Sequence, residues 1–121
     1  MKGLRILVVE DSLLVAEIIV ELLQMAGIEV VGPVGRLDPA IALAQHEQLD
    51  GALLDVNLAG ENSGPIAEVL CARGIPFIFL TGYNDPAALP PQFRTAPLLV
   101  KPFRESDLER EVTARFGAVA G

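Results

Sequence analysis

The chain has 121 residues, 51% of them hydrophobic, and a formal net charge of −7. That length builds one domain with a substantial core but not two ordinary ones, and the composition is not that of a disordered chain. The acidic balance argues against a nucleic-acid partner, and a single cysteine, Cys71, excludes an internal disulfide or a multi-cysteine metal site.

The opening "MKGLRILVVEDS" meets charge too soon to be a signal peptide, and no apolar run approaches the roughly 20 residues that span a bilayer. A cytoplasmic domain with no membrane partner is expected. "LRILVVED" (4–11) reads as a first strand, apolar at nearly every position as if covered on both faces. "SLLVAEIIVELLQMAG" follows as a helix with Glu17, Glu21 and Gln24 on one polar stripe and Gly27 as C-cap. Its expected core face is Val15, Ile19, Leu22, Leu23 and Ala26. "IEVVG" (28–32) is a short second strand. "DPAIALAQHEQ" opens a helix with Asp38 as N-cap and Pro39 at the first position. "GALLD" is a third strand, "SGPIAEVLCARG" a third helix, "IPFIFLTG" a fourth strand and "APLLVKP" a fifth. "RESDLEREVTARFG" is the last helix. Between the fourth and fifth strands, "YNDPAALPPQFRTAP" holds four prolines and supports only a short, mobile or distorted fourth helix. The elements fill residues 1–121 as one domain, with no output domain expected.

Strand alternating with helix over short connections predicts an α/β fold, a doubly wound five-stranded parallel sheet covered on both faces. Such sheets bind ligands at the carboxyl ends of their strands. Those ends carry Glu10 and Asp11, Asp55, Thr81 and Lys101. Three carboxylates on one rim repel each other, and a hard divalent cation such as Mg²⁺ and a lysine both relieve that. The set suits reception of a phosphoryl group. Asp55 is the nucleophile, a metal neutralises the incoming oxygens, and Lys101 and Thr81 bind the rest.

The ordered motifs "VVEDS", "LLDVNLAGENSG", "FIFLTGY" and "LLVKPF" resemble the receiver domain of two-component response regulators over essentially the whole chain. The resemblance implies a flavodoxin-like sheet of order 2-1-3-4-5. It implies that Asp55 takes phosphate from a phosphohistidine on a histidine kinase or histidine phosphotransfer protein. Mg²⁺ is then held by Asp11, Asp55 and the backbone carbonyl of Asn57, with Glu10 direct or through water. Thr81 is the switch, and the Lys101–Pro102 peptide is cis. Two departures stand out. The family's frequent aromatic three positions before the lysine is Leu98 here, and an aromatic lies instead at Tyr83. This is similar to stand-alone receivers with a Phe-x-Thr-Gly-Tyr-like motif common in alphaproteobacteria. Tyr83 is then the switch partner of Thr81, and its ring is expected to slow autodephosphorylation.

Plainer readings stand beside these. Glu10 and Asp11 suit a helix N-cap, which Asp11–Ser12 also supplies. Cys71 is expected as a small packed residue, His46 as a solvated one, and "ESDLERE" as a solvated face with internal charge pairs. Leu14 and Ile18, flanked by Leu13 and Met25, add apolar surface beyond one buried stripe. This is either a wide core contact or a docking face for the phosphodonor. Among other functions, an aspartyl-phosphate hydrolase of the haloacid-dehalogenase type needs an acid–base aspartate where this chain has Asn57. A nucleotide or flavin module needs a glycine or hydroxyl loop where this chain reads "VEDSLL". A degenerate receiver acting only as an interaction module is the remaining alternative.

Overall fold

The computed structural model describes residues 3–82 and 89–117. Five strands form one parallel sheet: β1 (Arg5–Val9), β2 (Glu29–Val34), β3 (Gly51–Asp55), β4 (Phe77–Thr81) and β5 (Leu98–Val100), in the order β2-β1-β3-β4-β5. The doubly wound topology expected from the alternation is therefore present. The α-helices among the described residues are α1 (Leu13–Met25), α2 (Leu37–His46), α3 (Gly64–Ala72) and α4 (Glu105–Val112).

The two faces of the sheet carry separate cores, as the period of two along a strand requires. Ile6 and Val8 of β1 turn toward α1 and α4, packing with Ile19, Leu23, Leu108 and Val112. Leu7 and Val9 turn the other way, toward Ala40 and Ala44 of α2 and Ile66 and Leu70 of α3. This two-sided burial is why β1, β3 and β4 read as nearly unbroken apolar runs.

Several boundaries differ from the sequence reading. β1 stops at Val9, so Glu10 and Asp11 form a turn beyond it. β2 runs two residues past Gly32, through a register shift opposite Leu7–Val9. α2 is capped by Arg36, not Asp38, and Pro39 sits in the first turn, whose N–H groups have no helical acceptor in any case. The last helix gives way at Thr113 to a π-helical turn, Thr113–Gly117. Ser12 caps α1 by accepting from Val15 N, and Gly27 follows with φ +82. The buried stripe of α1 is Ala16, Ile19 and Leu23, with Val15, Leu22 and Ala26 only half-buried at its edges. Cys71 is exposed rather than packed, because Ile66, Ala67 and Leu70 supply the inward face of α3 and Cys71 lies a further 100° or so round the helix. His46 is exposed at the end of α2.

Part of the proline-rich stretch, 83–88, and with it Tyr83, lies outside the described residues. Its remainder forms one 3₁₀ turn, Pro91–Phe93. Leu89 and Phe93 bury against the α3 face, and Phe93 meets Phe77 edge-on at 5.6 Å. Leu98 pairs with Phe79 at the sheet edge. Among the described residues, no helix is long and apolar enough to cross a membrane.

Candidate phosphoacceptor site

Parallel pairing brings the carboxyl ends of β1, β3, β4 and β5 to one rim. β3 ends at Asp55, whose Val56 neighbour donates to Leu80 O across β4 at 2.9 Å, and Lys101 N donates to Thr81 O at 2.7 Å. Register across three strands thus carries Asp55, Thr81 and Lys101 to the same edge. Carboxylate oxygens of Glu10, Asp11 and Asp55 all lie within 4.8 Å of one another. Lys101 Nζ stands 2.5 Å from Glu10 Oε1 and 3.3 Å from Asp55 Oδ1. Glu10 and Asp55 are buried, and Asp11 is exposed.

These groups share their charge unevenly. Burial, then Glu10 and Asp11, pushes the Asp55 carboxyl up to about 8 against the pull of Lys101. Burial also pushes Asp11 up, but hydrogen bonds from Asp55 and from Ala59 N–H outweigh it and hold Asp11 below its ordinary value. Burial likewise lowers Lys101, yet Glu10 and Asp55 raise it overall. Burial and the two neighbouring acids thus disfavour a negative charge on Asp55 unless a further counter-charge joins Lys101. A hard cation with oxygen ligands fits here, because the donor set is three carboxylates whose oxygens lie within 4.8 Å of one another.

Asp55, Thr81 and Asn57, with Gly60, Asn62 and Gly82, line a cleft of about 320 Å³. The Asn57 side chain is engaged locally, its Oδ1 accepting from Gly60 N at 2.8 Å, which leaves the backbone carbonyl as the ligand this residue can offer. A short ribbon, Asn57–Leu58 with Glu61–Asn62, carries this turn. Ala59 within it holds φ +51, which costs a non-glycine residue about 1 kcal/mol, and its N–H donates to Asp11 Oδ2 at 3.0 Å. Sequence reasoning did not find Ala59. Only the Ala-Gly pair after Asn57 hinted at a turn, and the bond is made by backbone. Ser12 N donates to Glu10 Oε2 at 3.0 Å, so Glu10 also ties the start of α1 to the rim. The Lys101–Pro102 peptide is cis, as the resemblance implies, and so is Gly32–Pro33.

On α1, Leu13, Leu14, Ile18 and Met25 are exposed, so the wide-core explanation for these four does not hold. Ile18 and Val15 line a cleft of about 350 Å³ with Lys101, Pro102 and Phe103.

Residues 6–113 match the sequence profile of the response regulator receiver domain. Among solved structures, SdrG from Sphingomonas melonis Fr1 is 40% identical, with 94% of this chain and 98% of that one covered and a TM-score of 0.82. The receiver domain of the sensor histidine kinase PA1611 from Pseudomonas aeruginosa PAO1, with a magnesium ion coordinated in its active site cleft, is 25% identical, covering 95% and 98% at a TM-score of 0.78. The transcriptional regulatory protein PdtaR of Mycobacterium tuberculosis is 32% identical over 130 residues, covering 96% of this chain. This chain spans 63% of the length of PdtaR.

Proposed function

This chain belongs to the response regulator receiver domain family, and we propose on that premise that Asp55 accepts a phosphoryl group from a phosphohistidine of a histidine kinase or histidine phosphotransfer protein. One observation carries the reading: the Asp55 carboxylate stands at an open strand end with two further acids and an ammonium within a few ångströms. Asp55 Oδ attacks phosphorus as the phosphorus–nitrogen bond of the donor breaks, and the imidazole leaves with that electron pair and takes up a proton. Lys101, already 3.3 Å from Asp55 Oδ1, would turn from Glu10 to meet the incoming oxygens, and Thr81 lines the cleft that holds Asp55.

Asp11, Asp55 and the Asn57 carbonyl would hold Mg²⁺, with Glu10 beside them. When bound, that ion supplies charge neutralisation for the transferring oxygens. Asn57 offers no carboxylate for proton transfer to an attacking water, so the chain works as a signalling module rather than a turnover hydrolase. Thr81 and Tyr83 act as the switch, and residues 1–121 act as a single receiver unit whose output passes through protein contacts. Leu14 and Ile18 dock the phosphodonor. Their support is exposure beside a cleft that opens onto Lys101.

The test is intact mass after incubation with Mg²⁺ and acetyl phosphate, beside Asp55→Asn. A single labile phosphoryl adduct, absent from the variant, is expected. No adduct, together with no binding of beryllofluoride, would favour a phosphorylation-independent interaction module.

A further inference from the structure

β2 does not end where the sequence suggested. Leu7 pairs with Val31, but Val9 pairs with Val34, so one extra residue of β2 is accommodated between them. Gly32 makes this detour at φ +100, where a Cβ would stand 2.9 Å from Val8 O and 3.0 Å from Val34 N. The detour delivers Val34 O to Glu10 N at 2.9 Å and lays Gly35 against the turn that carries the acids. A Cβ on Gly35 would stand 3.1 Å from Asp11 Cα, 3.3 Å from Glu10 O and 3.7 Å from Asp11 Cβ. Two separate segments thus fix Asp11: Gly35 packs against its Cα, and Ala59 N–H donates to its carboxylate.

We propose that Gly35 is a positioning residue for the cation site. Without a side chain, it lets the backbone of Asp11 sit far enough back for its carboxylate to share a cation with Glu10 and Asp55. A methyl group at 35 must push Asp11 Cα by a few tenths of an ångström. Asp11 is exposed and lies outside both cores, so the turn yields and the fold survives. Mg²⁺ tolerates little departure from octahedral geometry, so the cost appears in affinity. The inference rests on the Mg²⁺ reading above.

Calorimetric titration with Mg²⁺ and thermal melting without it, on the full chain, separate the outcomes. Asp11→Ala should lose Mg²⁺ binding. Gly35→Ala should weaken it roughly tenfold, the scale of a lost supporting contact, with the metal-free Tm within about 3 °C of the parent. Unchanged affinity in Gly35→Ala overturns the proposal. So does a Gly35→Ala chain that melts far earlier or does not fold, since the glycine then serves packing. If the parent itself takes up no Mg²⁺, the metal reading fails first. A parent that binds beside an unchanged variant sinks this inference alone.

Discussion

The ammonium of Lys101 stands 2.5 Å from the buried Oε1 of Glu10. Glu10 has a side chain with no solvent exposure, and that of Lys101 is 22% exposed. The lysine therefore serves the fold, since it neutralises the most deeply buried carboxylate on the rim. Lys101→Met should destabilise the metal-free protein by about 2–3 kcal/mol in urea unfolding, somewhat less than breaking a fully buried pair because the lysine is 22% exposed. Adding Glu10→Gln should return most of that loss. Two additive losses would show that the pair is not a unit.

Asp55 gives the stability a pH dependence of definite sign. Its carboxyl titrates near 8 in the metal-free fold, against 3.8 as the ordinary value. Between these values the folded chain holds a proton that the unfolded chain has released, so stability falls as pH rises. The metal-free Tm should drop by several degrees between pH 5 and pH 8, and Asp55→Asn should flatten that slope. The same proton competes with Mg²⁺, so apparent affinity should rise about tenfold from pH 7 to pH 9. A parent and Asp55→Asn with parallel Tm profiles would remove Asp55 as the source.

The exposed face of α1 yields a test of docking. Leu14→Asp and Ile18→Asp remove no core contact, and each should leave stability within about 0.5 kcal/mol of the parent. Phosphotransfer from a histidine phosphodonor protein should slow at least tenfold, with acetyl phosphate labelling unchanged. Equal loss with both donors would assign the effect to misfolding.

Far from the rim, Phe116 closes the bottom of the sheet over Gly51. A Cβ on Gly51 would come within 2.6 Å of the Phe116 ring. Gly51→Ala should cost about 1–3 kcal/mol by overpacking. Phe116→Leu should cost less in that background than alone, a coupling of at least about 0.5 kcal/mol in a double-mutant cycle.

The order of elements, the doubly wound sheet and the residues at the strand ends could be read from the sequence. Apolar runs in β1 and β3, helical stripes in α1, and proline and glycine punctuation are local signals, and local backbone preference with two-sided burial produces them. Glu10, Asp11, Asp55, Thr81 and Lys101 meet because parallel strands start from one side, which the alternation already implies. Distances across the rim are another matter. That Lys101 chooses Glu10, that Ala59 reaches back to Asp11, that Gly32 sends β2 two residues further and that Gly35 backs Asp11 all depend on register and backbone path between segments tens of residues apart. Cys71 shows the same limit in reverse: its small apolar character suits a core, but the rotation of α3 turns it outward. Side-chain type and period determined which residues reach the rim. Only the packed sheet decided which of them touch, because contacts are set by the relative placement of strands that no single segment encodes.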